Sequence, residues 1–248
     1  MKKLIPEEKQ NDVFISIIVP AFNEEKILGQ TIEKIVTYLN KQNYTWELII
    51  VDDGSTDNTV NIAKDKKSKT HQSNIQIIEL SHAGKGWAIK NGMLRSNGSL
   101  KFMCDADLSM PIENLQNFII NFDSKSEIII GSRELKSSQR HGESIFRKIR
   151  SKIFNSIVRI LLPIPFKDTQ CGFKCFKKDT AEKLFNLQQI KGFSFDVEIL
   201  YLANKFGIKT TEMPIAWEHK NQSQINSIRD SCKMLIDIFK IRITHKNS

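Results

Sequence analysis

Two kinds of apolar spacing alternate along the first half of the chain. Short apolar runs rich in isoleucine and valine predict β-strands, and the segments between them, where apolar residues recur every three to four positions, predict helices. In chain order the predicted strands are FISIIVPAF, WELIIVDD, IQIIEL and SLKFMCDAD, and a predicted helix follows each of the first three. Apolar strands separated by helices are typical of a mostly parallel sheet that is buried on both faces. The pattern therefore predicts an α/β protein.

Polar residues gather where three of these strands end. The three segments are PAFNEE, DDGSTD and DADLS. Ligands of parallel sheets bind outside the carboxyl ends of the strands. The clustering therefore predicts a binding site at this edge of the sheet.

Asp105 and Asp107 stand one residue apart behind the fourth strand. In an ideal strand they would face opposite ways, but in an irregular turn they can converge on one cation. Hard oxygen ligands suit Mg²⁺ or Mn²⁺, which bridge protein carboxylates to substrate phosphates. The alternative is a solvated turn before a helix, with Ser109 as its N-cap and Pro111 in its first turn. The two interpretations are compatible.

The second strand end offers a further pair of acids, Asp52 and Asp53. Ser55 or Asp57 is expected to cap the following helix, and one acid of the pair is a candidate acceptor of hydrogen bonds from a nucleobase or ribose. Lys85, between two glycines, is a candidate phosphate contact. The chain has neither a G-x-x-x-x-G-K-[ST] loop nor a G-x-S-x-G elbow, which argues against a P-loop NTPase and a serine hydrolase.

The second half of the chain is more basic. Residues 133–159 hold eight basic and two acidic residues, in a protein of net charge +9. Apolar residues recur there at helical spacing and run into ILLPIPF, and the final segment INSIRDSCKMLIDIFKIRI has a similar pattern. Basic amphipathic helices of this kind predict interfacial elements that bind an anionic membrane surface. The alternative, nucleic-acid binding, is not expected because exposed aromatic residues are not interleaved with the charge.

The ends of the chain and its cysteines favour a peripheral protein on the cytoplasmic face of a membrane. No secretory signal pattern opens the chain, and no run reaches the roughly 18 apolar residues of a membrane span. The four cysteines are scattered, and Cys171 and Cys175 have no second pair with which to bind zinc. This usage is typical of reduced thiols.

Seven motifs, taken in order and spacing, resemble family 2 glycosyltransferases of the GT-A (Rossmann-like) fold. They are SIIVPAFNEE, VDDGSTDNT, GKGWAIKNGM, CDADLS, IIIGSR, DTQCGFKCF and FSFDVEIL. The similarity is greatest to the polyprenyl-phosphate branch, and within it to dolichyl-phosphate β-glucosyltransferases. It implies an N-terminal tail (1–13) and a single GT-A domain (14–243). Residues 14–131 would form the nucleotide-sugar-binding half, and residues 132–243 the acceptor and membrane-interface half.

The resemblance also implies a nucleotide-sugar site. Its expected residues are Pro20, Phe22, Glu24, Val51, Asp53, Lys85, Asp105, Ala106 and Asp107. Phe22 would stack on the base or ribose, and Asp53 would read the base. Asp105 and Asp107 would hold a divalent ion, Mg²⁺ or Mn²⁺, that neutralises the diphosphate.

For the acceptor, the resemblance implies that Arg133 and Arg147 hold a lipid phosphate, since arginine meets phosphate oxygens in pairs. For Arg147 a general membrane contact is an equal alternative. Asp196 and Glu198 lie where the superfamily often places a base. In the lipid-phosphate branch they would orient arginines or sugar hydroxyls, and as acids in the first turn of a helix they also suit its dipole. The expected catalytic residues are Asp107, Arg133 and Asp196.

The expected reaction is an inverting, metal-dependent transfer of a hexose onto a polyprenyl or dolichyl phosphate. Glucose from UDP-glucose is the expected donor group. The alternatives are mannose from GDP-mannose with the same acceptor, and transfer to a saccharide hydroxyl with Asp196 or Glu198 as base.

Overall fold

The computed structural model describes residues 12–70, 73–122, 126–142, 145–218 and 227–246, with only the backbone described for 145–148, 150 and 227–232. In these residues, nine strands form two sheets. They are β1 (Ile15–Ala21), β2 (Trp46–Asp52), β3 (Ile75–Glu79), β4 (Leu100–Met103), β5 (Ile128–Ser132), β6 (Gln139–His141), β7 (Lys174–Lys177), β8 (Thr210–Pro214) and β9 (Ala216–Glu218).

The main sheet has seven strands in the order β3-β2-β1-β4-β7-β5-β8, and β6 pairs with β9 in a small second sheet. β7 runs antiparallel to both of its neighbours, and the remaining pairs of the main sheet are parallel. The predicted α/β class and mostly parallel sheet are confirmed.

Eight α-helices and one 3₁₀ helix (Ile112–Asn114) connect the strands in the described part of the chain. The α-helices are α1 (Leu28–Leu39), α2 (Thr59–Thr70), α3 (Lys85–Arg95), α4 (Leu115–Asn121), α5 (Ile145–Leu161), α6 (Lys178–Leu187), α7 (Phe195–Lys205) and α8 (Ser227–Thr244). The three helices predicted after the first three strands are α1, α2 and α3. The two predicted amphipathic helices are α5 and α8.

Both faces of the sheet are buried, as its apolar strands require. In β1, Ile17 and Val19 join a core that includes α1 and α4, while Ile18 joins a core that includes α3, α6 and α7. This alternation follows from the two-residue period of a strand.

The strand order indicates where a ligand would bind on the main sheet. From β1 the chain moves outward through β2 and β3, and it then returns to form β4 on the other side of β1. The carboxyl ends of β1 and β4 therefore lie at a point where the direction of winding reverses. Such a switch point is where open α/β sheets bind ligands.

An apolar surface remains exposed on α5 and α8. Of the seven large apolar side chains that are exposed in the described residues, six lie on these two helices. Together these six form the α5/α8 apolar surface: Ile149, Ile153, Ile160, Ile236, Phe239 and Ile243. Searching the described residues for a helix both long and apolar enough to cross a bilayer finds none.

Replacement of Gly92 in α3 tests how closely this helix packs on the sheet. A Cβ at Gly92 would lie 2.5 Å from Ile18 Cγ2 and 2.9 Å from Val51 Cγ2. We expect Gly92→Ala to lower the free energy of unfolding by about 1–3 kcal/mol, because β1 and β2 hold both neighbours in place. Urea unfolding measures the change.

Gly29→Ala in α1 is the matched control. Both substitutions gain the helix propensity of alanine, but a Cβ at Gly29 would meet only side-chain atoms of Lys66 and Ile62, at 3.1 and 3.2 Å. Equal unfolding midpoints for the two variants would contradict the close packing of α3.

Candidate active site

The loops after β1 and β2 are joined by hydrogen bonds. The Asn23 N–H donates to Ser55 Oγ at 2.8 Å, and Asn23 Oδ1 accepts from the Thr56 N–H at 2.8 Å. The Glu24 N–H donates to Thr59 Oγ1 at 2.8 Å. Asn23 has a positive φ of 54°, which asparagine tolerates better than most residues. The two strand ends therefore form one wall of the site.

The two acids at the carboxyl end of β2 have different partners. Asp52 Oδ2 accepts the N–H groups of the second and third residues after it, at 3.0 Å each, and closes the turn. Asp53 accepts the Ala83 N–H at Oδ1 (3.0 Å) and the Gly84 N–H at Oδ2 (2.8 Å), and so holds the loop before α3. Of the two predicted caps for α2, Asp57 makes the bond, accepting from the first N–H of that helix at 3.0 Å.

Phe22 and His82 form a stacked pair above Asp53. Their ring centroids are 4.2 Å apart and their planes differ by 21°. His82 Nδ1 lies 2.8 Å from Asp53 Oδ2 and 3.0 Å from the Asp53 carbonyl oxygen. The sequence pattern did not identify His82, because nothing near it in the chain links it to the strand end at Asp53.

Asp105 is paired with Lys85. Lys85 Nζ lies 2.5 Å from Asp105 Oδ1. Burial opposes ionisation of Asp105, but the charges of Lys85, Lys174 and Arg133 outweigh it and lower the pKa of Asp105. Burial would likewise lower the pKa of Lys85, and the charges of Asp105 and Asp196 outweigh it and raise that pKa. Both groups therefore stay charged.

Asp107 is oriented by Ser109. The Ser109 N–H donates to Asp107 Oδ1 and its hydroxyl to Oδ2, each at 2.8 Å. The next helix begins at Ile112 without a side-chain cap, so Ser109 positions Asp107 instead of capping. The carbonyl of Ala106, between the two acids, accepts a hydrogen bond from Thr31 Oγ1 in α1 at 2.5 Å.

The acids at this edge carry a charge that a cation would relieve. Burial, followed by the charges of Asp107, Asp57 and Asp105, raises the pKa of Glu24 to about 7. The described residues contain no group of three or more His, Cys, Asp or Glu side chains that could hold a metal ion by themselves. A cation at Asp105 and Asp107 would therefore take further ligands from a bound phosphate, as Mg²⁺ commonly does. The donor set fits such an ion.

Arg133 lies just beyond the end of β5 and is held by Asp168, which is fully buried. Its Nε donates to Asp168 Oδ2 at 2.7 Å and its Nη2 to Oδ1 at 2.9 Å, and it lies 5.8 Å from the centroid of the Trp217 ring. Burial opposes ionisation of Asp168, but the charge and hydrogen bonds of Arg133 lower its pKa to about 2. This two-point contact fixes the plane of the guanidinium.

A second buried ion pair joins Lys174 in β7 to Asp196 in α7. Lys174 Nζ also donates to the Cys171 carbonyl oxygen at 2.5 Å. Burial raises the pKa of Asp196, against the charges of Lys174 and Lys85. The structure thus brings Asp196 into the charged cluster as the partner of a buried lysine.

Glu198 does not share these contacts. Its two carboxylate oxygens accept the N–H groups of Gln189 and Ile190 at 2.9 and 2.8 Å, and His245 Nε2 lies 2.6 Å from Oε1. The carboxylate is fully buried. Its observed partners are structural, and they tie α7 to the end of α8.

Three further predicted residues are Val51, Pro20 and Arg147. The Val51 side chain is fully buried in the core that includes α3, so only its backbone can face a ligand. Pro20 is half-buried opposite Val51 in the β1–β2 register. The side chain of Arg147 lies outside the described residues.

The site residues that the sequence pattern missed come mainly from one segment, DTQCGFK. Asp168 and Lys174 pair with Arg133 and Asp196, and a Cβ on Gly172 would collide with the Asp105 carboxylate. The motif supported the family resemblance, but the contacts of its acid, glycine and lysine are with residues that are distant in the sequence.

The pKa of Glu24 predicts a pH-dependent stability. Its folded value of about 7 lies above the ordinary 4.5, so its contribution is fully present below pH 4.5 and is lost as the pH rises through 7. We expect Glu24→Gln, in EDTA, to raise the melting temperature relative to the wild type more at pH 8 than at pH 5. Glu113→Gln, at an exposed position, controls for the loss of one charge. A shift that is equal at both pH values would contradict the raised pKa.

Comparison with known proteins gives consistent matches over most of the chain. The sequence profile of Glycosyl transferase family 2 matches residues 16–185. A dolichyl-phosphate beta-glucosyltransferase of Dictyostelium discoideum is 34% identical over 247 residues, covering 95% of this chain and 76% of that protein. The human protein of the same name is 32% identical over 244 residues, covering 93% and 75%.

Solved structures agree with the fold. Glucosyl-3-phosphoglycerate synthase from Mycobacterium tuberculosis, in complex with Mn²⁺, UDP-glucose and glycerol 3-phosphate, superimposes with a TM-score of 0.65 at 16% identity. The match covers 92% of this chain and 80% of that one. The predicted GT-A fold and the family resemblance are confirmed. The chain belongs to glycosyl transferase family 2 and is a hexosyltransferase similar to the dolichyl-phosphate β-glucosyltransferases.

Proposed function

We propose that this protein transfers glucose from UDP-glucose to the phosphate of a polyprenyl or dolichyl phosphate, with inversion, at a membrane surface. The observation that carries the proposal is the set of three cations around Asp105. Lys85 is bonded to it, and the charges of Lys174 and Arg133 also lower its pKa. A cationic wall beside a carboxylate pair suits a reaction in which both substrates bring phosphate groups.

The donor is proposed on two grounds. The similar proteins are dolichyl-phosphate β-glucosyltransferases, and a structural neighbour was solved with UDP-glucose and Mn²⁺. Within the site, Phe22 offers a ring for stacking and Asp53 a carboxylate at the adjacent strand end. Lys85 would contact the diphosphate, because it already lies at the carboxylate pair.

Asp105 and Asp107 are the residues that would hold a divalent ion, Mg²⁺ or Mn²⁺. Such an ion would neutralise the charge that develops on the leaving diphosphate. Ser109 presets the Asp107 carboxylate for this role. Glu24 adds negative potential beside the pair, since the same two acids raise its pKa.

Arg133 is the proposed acceptor contact. Asp168 holds its guanidinium at two points, so little rotational freedom remains to be lost when a phosphate binds. Lys174 adds charge nearby through its effect on Asp105. An acceptor that is itself anionic would be drawn to this side of the site.

The acceptor's acidity determines the chemistry. A phosphate monoester has a second pKa of about 6, so its oxygen is already anionic at neutral pH and needs no base. That oxygen forms a bond to the anomeric carbon while the bond from this carbon to the UDP oxygen breaks, and UDP leaves with the electron pair. Attack opposite to the leaving group converts an α-linked donor into a β-linked lipid phosphate. Arg133 and Lys85 would position and stabilise the two phosphate groups.

A hydroxyl acceptor would need a base, and the two candidates are poorly placed for it. Asp196 is bonded to buried Lys174, and Glu198 is bonded to two backbone N–H groups and His245. These contacts support the phosphate acceptor. In the proposed reaction Asp196 positions Lys174, and it is not a base.

A lipid acceptor also suits the helices beside the site. Thr169, next to Asp168, donates from its hydroxyl to Asn155 Oδ1 in α5 at 2.9 Å, which joins the segment that holds Arg133 to the α5/α8 apolar surface. Exposed basic residues on these helices include Lys152, Arg159 and Lys240. Apolar side chains with basic neighbours suit an anionic bilayer, and we propose a peripheral position on its cytoplasmic face.

A transfer assay tests the reaction. The protein, with Mn²⁺ or Mg²⁺ and a short-chain polyprenyl phosphate, is incubated with labelled UDP-glucose and separately with labelled GDP-mannose. We expect label from UDP-glucose alone in an organic-extractable, acid-labile lipid. Label from GDP-mannose would keep the acceptor and overturn the sugar. Label in neither lipid, with UDP binding intact, would contradict the lipid-phosphate acceptor.

Arg133→Lys sharpens the same assay. Lysine keeps the charge but loses the two-point geometry, so we expect the KM for the lipid phosphate to rise on the order of ten- to a hundred-fold and UDP affinity to stay unchanged. Arg95→Lys, at an exposed position in the last turn of α3, is the control. An unchanged KM would remove Arg133 from the acceptor site.

Flotation with liposomes tests the membrane position. We expect Phe239→Ser combined with Ile243→Ser to reduce the fraction that floats with vesicles containing anionic lipid, because both side chains belong to the α5/α8 apolar surface and burial of each is worth roughly 1.5–3 kcal/mol. Ile120→Ser, the control, removes a similarly exposed apolar residue from α4. Equal flotation of the double variant and the wild type would contradict the interface.

A further inference from the structure

His82 makes the contacts that a nucleobase would need. Its ring stacks on Phe22 at a centroid distance of 4.2 Å, nearly parallel. Its Nδ1 lies 2.8 Å from Asp53 Oδ2. Phe22 and Asp53 are also the two groups proposed to bind the base of the donor, so any role of His82 toward that base rests on the proposed function.

The tautomer of His82 is set by its surroundings. The two atoms near Nδ1 are the Asp53 carboxylate and the Asp53 carbonyl oxygen, and both are acceptors only. Nδ1 therefore carries a proton and donates it. The Phe22–Asp53 pair thus holds a flat heteroaromatic ring with a ring N–H, which is also the chemistry of uracil and guanine.

The gap between the Phe22 and His82 rings is too narrow for a base to stack between them. Stacked rings lie about 3.5–4 Å apart, which is ordinary van der Waals contact, so a base cannot enter between rings separated by 4.2 Å. A base on this face of Phe22 takes the place of the imidazole. The ring N–H of the base would then donate to Asp53 Oδ2, as His82 Nδ1 does now.

His82 is the partner that can move. Its side chain is 57% exposed, while that of Asp53 is 4% exposed, so the imidazole lies on the solvent side of the carboxylate. Asp53 is also held by the N–H groups of Ala83 and Gly84. Rotation of the His82 side chain would leave those two bonds in place, whereas movement of Asp53 would break them.

We propose that His82 is a built-in competitor of the donor's nucleobase. The imidazole occupies Phe22 and Asp53 when it is turned inward, and a nucleotide binds there by turning it out. The competition weakens nucleotide binding and favours release of UDP after transfer. It acts on the base alone, because the diphosphate would bind at Lys85 and at the divalent ion that Asp105 and Asp107 would hold.

Calorimetry with two probes tests the competition. UDP carries the base, and inorganic pyrophosphate lacks it; each is titrated with Mn²⁺ into the wild type and into His82→Ala. We expect the Kd for UDP to fall about 3- to 10-fold in the variant, the range of a lost aromatic stack, and the Kd for pyrophosphate to stay the same. His82→Phe keeps a ring on Phe22 and should tighten UDP binding less.

The control is His141→Ala, at an exposed histidine in β6, which should leave both constants unchanged. Weaker UDP binding in His82→Ala would make His82 a wall of the base site and overturn the proposal. Unchanged UDP binding, or equal tightening for UDP and pyrophosphate, would overturn it as well. If neither the wild type nor His82→Ala binds UDP in the presence of Mn²⁺, the donor site itself is wrong, and this result is separate from the others.

Discussion

The site depends on the pairing of charges that the fold removes wholly or partly from water. A buried carboxylate or ammonium is stable only beside an opposite charge, and removal of one partner from such a pair typically costs about 3–5 kcal/mol. Asp105 meets Lys85, Asp196 meets Lys174, and Asp168 meets Arg133. Each pair joins segments that are distant in the chain. The strand ends, the start of α3 and the strand β7 therefore have to assemble together.

Close backbone packing keeps these charges in register. Gly172 lies against the Asp105 carboxylate, where a Cβ would collide with it. Gly84 has a φ of 123° and allows the loop before α3 to approach the Lys191 carbonyl, which accepts the Trp87 N–H at 3.0 Å. In both places a Cβ would collide with the neighbouring group, so the close approach requires a residue without a side chain.

The amphipathic helices α5 and α8 are bonded to the same framework. α5 is joined through Asn155, which accepts from the Thr169 hydroxyl beside the Arg133–Asp168 pair. α8 is joined through His245, which follows it and pairs with Glu198, and Glu198 holds the loop at residues 189–190. Hydrogen bonds and ion pairs thus join the helices that carry the α5/α8 apolar surface to the charged segments of the site.

The sequence alone determined what depends on neighbours along the chain. Apolar periods predicted the strands β1–β4 and the helices α1–α3, and acids at strand ends marked the edge where ligands bind. Those features are local, because strand and helix faces follow from spacing within a few residues. The roles of Asp168, Lys174 and His82 were decided by tertiary structure. Their partners lie 35, 22 and 29 residues away, so only the assembled fold brings each of them within hydrogen-bonding distance of its partner.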